Sequence, residues 1–423
     1  MKKLSIVFLI LLTAISCTTS NVSNAESTVN ETVLDEFSQL LEKAEAGDAD
    51  AQYKVADCFK NGEDVEQNYE EAVYWYTKAA EQGNDSAINE LGFCYYEGKG
   101  VEQDYEEAIS LWRVAEKQGN VKSMNHLGYC YFYGYGVEQD YKQSFYWWTK
   151  GAEQGYFKCQ DNLAICYSNG FGTEANSEIA VSLWIKAAEQ GYAAAQANLA
   201  ISYINGVGVE QDYKQAFNWW TKAAEQGHSN SLLNIGNMYY YGMGVEQDYV
   251  EAVNWYLKAA EEGNSYAMTV LGYCYSQGEG VAEDYSKAFS WFVKSAEEGL
   301  AEGQYNLGLC YEDGVGVAQD SIAAFSWYLK AAEAGNAEAQ YKVGDSYKNG
   351  KGVEPDFEKA VYWHTKGSEQ GYAAAQNELG FCYYEGKGIE QDYDAAYSLW
   401  VKAEKQGNIK SMNNLGFCYF YGQ

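Results

Sequence analysis

GFCYYEGKGVEQDY, Gly92 to Tyr105, returns 288 positions later as GFCYYEGKGIEQDY, Gly380 to Tyr393, with one conservative change. A chain that repeats itself so closely follows a template, and the period of that template decides the fold. Counting from Gly47 in steps of 36 lands on Gly83, Gly119, Gly155, Gly191, Gly227, Gly263, Gly299, Gly335, Gly371 and Gly407 without a miss or an insertion. Self-similarity at a fixed period of this length marks a solenoid, in which each unit buries against its neighbours the apolar face it cannot bury alone. All twelve Trp fall seven or eight residues before one of these glycines, which leaves none for a special site. The 288-residue recurrence is eight periods, so the C-terminal part reads as a duplicated copy of the first repeats.

Each period reads as two antiparallel helices, shown by Gly299 to Gly335. In AEGQYNLGLCYEDG, Leu307, Cys310 and Tyr311 recur at helical spacing, and Gly314 stands where a helix ends in the left-handed conformation. That is helix A. A GVGV turn follows, and then Asp320 caps helix B, whose expected inward stripe is Ala324, Trp327, Tyr328, Ala331 and Ala332. The capping position holds Asn68, Asp104, Asp140, Asn176, Asp212, Asp248, Asp284, Asp320, Asp356 and Asp392, so every helix B has an Asx oxygen for its first N–H groups. Gly308 and Ala331 are expected to let the two helices approach closely, with Tyr311 and Trp327 filling the space beside them.

The pattern LGxCYxxGxGVxxDYxxAxxWxxKAAEQG, with its 36-residue step, resembles the Sel1-like repeat, a relative of the 34-residue tetratricopeptide repeat with a longer turn between its helices. The resemblance implies an all-α fold, a right-handed α-solenoid of stacked antiparallel helix pairs. Residues 47–407 then hold ten repeats, 31–46 form an N-terminal capping helix, and 408–423 are the final helix A of an incomplete repeat.

The N-terminus carries an address. MKK is a basic n-region, LSIVFLILL an apolar stretch of signal-peptide length, and AISC, Ala14 to Cys17, resembles the lipobox of bacterial lipoproteins. Residues 1–17 are therefore expected to be a lipoprotein signal ending at Cys17, the lipid attachment point, with 18–30 a flexible tether. By family resemblance, Thr18 after the Cys fits delivery to the outer membrane, on its periplasmic or surface face. Contact with the membrane is expected through the lipid alone. With 60 acidic against 29 basic residues the formal charge is −31, a field that repels phosphate backbones and argues against a nucleic-acid partner.

The residues that could carry chemistry obey the template. Cys58, Cys94, Cys130, Cys166, Cys274, Cys310, Cys382 and Cys418 share one position, eleven after the glycine. Equivalent points in stacked helix pairs lie roughly 9 to 10 Å apart, beyond the ~7 Å limit for a disulfide. Cys159 and Cys166 are two turns apart on one helix, about 10.5 Å by rise, and the cysteines read as buried small hydrophobes. A cysteine-rich branch of the family, with penicillin binding, pairs two Cys per repeat where this chain has one. His126, His228 and His364 fall at unrelated positions without metal-ligand spacing. The recurring EQD carboxylates form identical rungs, and no singular pair offers a general acid and base. No cofactor, metal or catalytic residue is expected.

Departures from the template are more informative. In tetratricopeptide relatives the helix A residues that point away from helix B line a concave groove, and carried over these are positions 10, 13 and 14 after each glycine. They include Phe93 and Tyr96; Tyr129, Phe132 and Tyr133; Tyr240 and Tyr241; Tyr273; Phe381 and Tyr384; Phe417, Phe420 and Tyr421. The position 12 rings Tyr95, Tyr131, Tyr239, Tyr383 and Tyr419 are expected to be buried between helices. Aromatic rings on such a face offer large, rigid contact area to a peptide and a stacking surface to sugars. The resemblance implies a non-catalytic interaction scaffold or adaptor that binds another protein or an extended peptide, of the envelope or of a host. The alternative is a cell-wall glycan-binding module or enzyme of the β-lactamase-like kind.

Overall fold

The computed structural model describes residues 36–421, with side chains through Cys418. Among the described residues there are 22 helices and no strand. They fall into two compact units divided between Gln190 and Gly191.

Within each unit helices alternate as A and B. Helix A of the Gly83 repeat is Asp85–Glu97; the Asn84 side chain accepts from the Ala87 N–H, and Gly98, at φ 70°, donates its own N–H to the Cys94 carbonyl. Helix B is Tyr105–Lys117, where the Asp104 carboxylate accepts from the N–H groups of Glu106 and Glu107. These caps satisfy groups that a helix end leaves without partners. The B caps recur at every Asx position read from the sequence. The helix over residues 36–45 lies against the first pair, with Ala44 buried and Phe37, Leu40 and Leu41 on the core that contains Val55 and Tyr76.

Two close approaches explain the glycines. Gly100, at φ 75°, sits where a Cβ would strike the Tyr69 carbonyl that opens the preceding helix B, so the Gly-x-Gly turn is also a contact between repeats. The second approach is inside the pair. Gly92, Gly128 and Gly380 on helix A lie against the indoles of Trp112, Trp148 and Trp400. There the indole N–H groups donate to the helix A carbonyls of Asn89 (3.1 Å), Asn125 (3.2 Å) and Asn377 (3.1 Å). Where the template glycine is Ala164 or Ala200, the partner indoles Trp184 and Trp220 are buried with no acceptor. One methyl group separates a satisfied from an unsatisfied indole.

Two sequence expectations are corrected by this packing. The ring seated against Gly308 is Tyr328, which is buried, whereas Trp327 lies half-buried at the edge with the Lys330 ammonium 3.8 Å from its ring. The position 12 rings Tyr95, Tyr131, Tyr239 and Tyr383 are half-buried, not enclosed between the helices of their own pair. They belong to the seam between repeats: Phe217 of one helix B meets Tyr239 of the next helix A edge-on at 5.8 Å, and Phe289 meets Tyr311 at 5.5 Å. Tyr131 reaches back across the same seam, its hydroxyl accepting from the Arg113 guanidinium at 2.6 Å. Neighbouring A helices are also linked by Lys60–Glu90, Lys342–Glu312 and Lys348–Glu378, each at 2.6 Å.

The Gly–Trp contact yields a direct expectation. Gly128→Ala improves intrinsic helix propensity by about 1 kcal/mol, yet its Cβ would collide with the Trp148 indole and push the N–H off the Asn125 carbonyl. Overpacking and a lost buried hydrogen bond together cost roughly 2 to 4 kcal/mol, so urea denaturation should show a net loss. A more stable Gly128→Ala chain would contradict this account of the pair.

Candidate functional site

One region of the first unit gathers rings beyond what a helical core needs. Phe93 and Tyr96 of one helix A and Tyr129, Phe132 and Tyr133 of the next lie on one side, and all five were expected from the sequence. The structure adds Tyr105 and Tyr141, which open B helices, and Tyr135 and Phe171 from the turns. Tyr96 contacts Tyr105 at 5.3 Å and Tyr135 at 5.8 Å, and Tyr105 stacks on Tyr135 at 5.4 Å. Tyr135 stacks on Tyr133 at 5.7 Å, Tyr133 meets Phe132 at 4.9 Å, and Phe132 touches Tyr141 and Phe171 at 5.1 and 5.3 Å. Centroid separations of this kind are those at which aromatic pairs attract. The result is a continuous strip across three repeats.

Its foundation is the core. Tyr96 leans on Trp112 at 5.7 Å, while Tyr129 and Phe132 lean on Trp148 at 5.6 and 5.4 Å. Tyr133, Tyr135 and Tyr141 are the exposed members, 54%, 37% and 36% accessible. Burial, helped by the neighbouring Tyr135, pushes the Tyr96 phenol up to about 12, and burial also raises Tyr129. Both therefore stay neutral at physiological pH, and these rings act through area and ring faces.

The other predicted rings form smaller groups in the second unit. Tyr240 meets Tyr241 at 4.8 Å and Tyr249 at 5.0 Å, and its hydroxyl donates to Glu279 at 2.5 Å. Tyr273 is exposed and donates to Asn306 at 2.9 Å. Phe381 and Tyr384 both lean on Trp400 at 5.6 Å. Phe417 is exposed. The side chains of Tyr419, Phe420 and Tyr421 lie outside the described residues, as does Cys17. The missed members of the strip had a signal: Gly134-Tyr135-Gly136 and Gly170-Phe171-Gly172 place rings in adjacent turns where other Gly-x-Gly turns have Lys, Val, Met or Glu.

Reactive groups are held in structural roles. The nine described cysteines are free and all but Cys58 are buried. Burial pushes the thiols of Cys130 and Cys274 up to about 12 and that of Cys310 to about 11, which suppresses the thiolate. Among the described residues no group of three or more His, Cys, Asp or Glu side chains could hold a metal ion. His228 caps the helix Ser229–Tyr241, its Nδ1 accepting from the Ser231 N–H at 3.3 Å. His126 stacks on Trp112 at 4.8 Å, and burial lowers its pKa to about 4.

His364 occupies the slot filled by Phe292, Tyr328 or Trp400 in other repeats, against Gly344. It is fully buried with no hydrogen-bond partner on either nitrogen. Burial lowers its pKa to about 4, with Lys348 acting in the same sense and Glu378 opposing, and the Tyr341 ring lies 5.9 Å away. The unfolded chain, with an ordinary histidine pKa near 6.5, binds the proton first. Stability is thus complete above about pH 6.5 and declines as the pH falls towards about 4, by roughly 3 kcal/mol from this residue. His364→Phe should flatten that decline in melting temperatures taken from pH 7 to 4; an unchanged profile would show that the ring is not neutral and buried as described.

The profile of the Sel1 repeat matches residues 49–84, 85–120, 121–156, 158–192, 193–228, 229–264, 265–300, 301–336, 337–372, 373–408 and 409–423. No curated protein matches the chain. Among solved structures, a protective antigen present in uropathogenic Escherichia coli strains and displaying an SLR fold is 34% identical, with a TM-score of 0.61; the alignment covers 91% of this chain and 90% of that one. A Sel1 repeat protein from Oxalobacter formigenes is 31% identical with a TM-score of 0.57, over 78% of this chain and 98% of that one.

Proposed function

The chain belongs to the Sel1 repeat family, and on that footing we propose that it is a non-catalytic scaffold, lipid-anchored in the bacterial envelope, that holds another protein through its exposed ring strip. The strip carries the proposal. Core packing accounts for Trp112 and Trp148, but it does not require Tyr133 and Tyr135 to stand in contact with each other, nor either of them or Tyr141 to stand open to solvent. Tyrosine offers a partner a large apolar face at small conformational cost, which is why it is over-represented among interface hot spots. The helix pairs beneath hold the rings in place before any partner arrives, so little ordering remains to be done on binding.

Tyr133→Ala with Tyr135→Ala provides the test, because both side chains are exposed and their loss leaves the Gly–Trp core intact. The doubly substituted chain should melt close to the parent while losing partner recovered from envelope extract by at least roughly tenfold, as removal of hot-spot rings does. Equal recovery by both chains would remove the strip from the proposal.

Anchoring rests on the basic MKK, the apolar LSIVFLILL and the AISC stretch ending at Cys17. The similar chain from uropathogenic E. coli is a protective antigen, and an antigen must be within reach of antibody, which supports an envelope location. A single acyl chain binds membrane only marginally, so stable anchoring needs several on the same cysteine. Detergent, but not high salt, should release the mature chain, and Cys17→Ser should leave it unprocessed or unanchored. A Cys17→Ser chain that is still processed and held at the membrane would overturn this part of the reading.

A further inference from the structure

The centre of a Gly-x-Gly turn stands beside the residue that opens the preceding helix B, which is a ring at Tyr69, Tyr105, Tyr141 and Phe357 and a serine at Ser321. Where that residue is a ring, two repeats show what the seat accepts when the turn centre is a cation. The Lys99 ammonium lies 5.5 Å from the Tyr69 ring and is held by Glu97 at 2.7 Å. In the other unit Lys387 lies 5.8 Å from Phe357 and is held by Glu385 at 2.9 Å. Each seat combines a ring face, whose quadrupole attracts a cation, with a carboxylate beside it.

In the strip the same seats are rebuilt without the cation. Tyr135 takes the place of the lysine and stacks on Tyr105 with 24° between the rings, and Phe171 does so on Tyr141 with 32° between them. No ammonium of the chain stands in these seats, a second ring is added to each, and Tyr135 and Tyr133 stay 37% and 54% exposed to solvent. Acidic residues remain on the same turns. Glu102, Glu138 and Glu174 are exposed, and none takes part in an ion pair among the described residues. The whole chain carries a formal charge of −31, so a cationic partner is drawn in from a distance and an anionic one is repelled.

We propose that the strip receives an extended, lysine- or arginine-bearing segment of a partner protein, its cations seated over the faces of Tyr133 and Tyr135 as Lys99 is seated over Tyr69. This deepens the scaffold reading and rests on it, naming the chemistry of the bound segment. An arginine fits better than a lysine because its planar guanidinium also stacks on aromatic faces.

The test uses the full chain and three fluorescein-labelled synthetic peptides of equal length: one of alternating Arg and Gly, one with Glu in place of Arg, and one of Ser and Gly. Anisotropy is read at roughly physiological salt and again at several times that concentration, where long-range attraction is screened. The Arg peptide alone should bind, and at the higher salt Tyr133→Ala and Tyr135→Ala should each weaken it several-fold or more. Tyr135→Phe, which keeps the ring face, should bind as the parent does, and Tyr135→Lys, which places a cation in the seat as at Lys99, should abolish strip-dependent binding. Tyr133→Ala removes no core contact, so it tests the seat even if a Tyr135 substitution disturbs the turn. The proposal falls if the alanine chains bind the Arg peptide as tightly as the parent, if the neutral peptide binds equally well, or if a chitooligosaccharide displaces the Arg peptide from the rings. Should the envelope partner still depend on Tyr133 and Tyr135 while the Arg peptide does not, the cationic segment is wrong and the scaffold reading stands; independence of both from the rings removes both.

Discussion

The helix pair depends on a place where helix A carries glycine, or at most the methyl group of an alanine. Gly92, Gly128 and Gly380 let an indole lie on the helix A backbone closely enough for its N–H to reach a main-chain carbonyl. A single position therefore sets the separation of the pair, the rotation of helix B about its axis and the satisfaction of a buried donor. The same seat takes Tyr256, Phe292 or Tyr328 against Gly236, Gly272 and Gly308. It is a geometric requirement for a flat ring, and the hydrogen bond is added where the ring is an indole. Trp184 and Trp220, opposite Ala164 and Ala200, keep the ring and forgo the bond. A buried donor without an acceptor costs about 1 to 3 kcal/mol, and that cost falls on both of these repeats.

Joining repeats is a separate matter from closing them. The seam uses the turn glycine against the preceding helix start, edge-on ring pairs such as Phe217 with Tyr239, and buried amides that reach across A helices, as where Ser123 donates to Asn89 at 2.8 Å and Asn162 to Asn125 at 2.9 Å. Because only adjacent repeats touch through these contacts, stability accumulates by nearest neighbours. That arrangement frees the turn centres to vary. In the first unit the seat over a helix B start holds Lys99, Tyr135 or Phe171 in successive repeats, each between two glycines in the left-handed conformation.

Much of this was legible in the residues. The 36-residue step, the Asx caps and the left-handed glycines follow from local rules, since a helix end needs an acceptor or a left-handed residue within a few positions along the chain. The cysteines could likewise be assigned to the core from their shared position, and the structure leaves them free and mostly buried. The face of the position 12 tyrosines was misjudged. Neighbouring residues on a helix differ by about 100° in direction, so a small rotation of helix A about its axis moves Tyr131 from the interior of its own pair to the seam with the previous repeat.

By itself, the amino-acid sequence determined the all-helical class, the number and register of the repeats and the separation of templated from untemplated residues, because each of these rests on period and on contacts within a few residues. It also identified five rings of the strip. Only the tertiary structure decided which rings meet: Tyr105 with Tyr135, and Phe132 with Phe171, are 30 and 39 positions apart and come together through the approach of one repeat to the next. That approach is set by the Gly100 and Gly136 contacts with the preceding helix start and by the seating of each indole on its glycine. Distances of a few ångströms between separate helices are fixed by the sum of such contacts, and no local pattern encodes them.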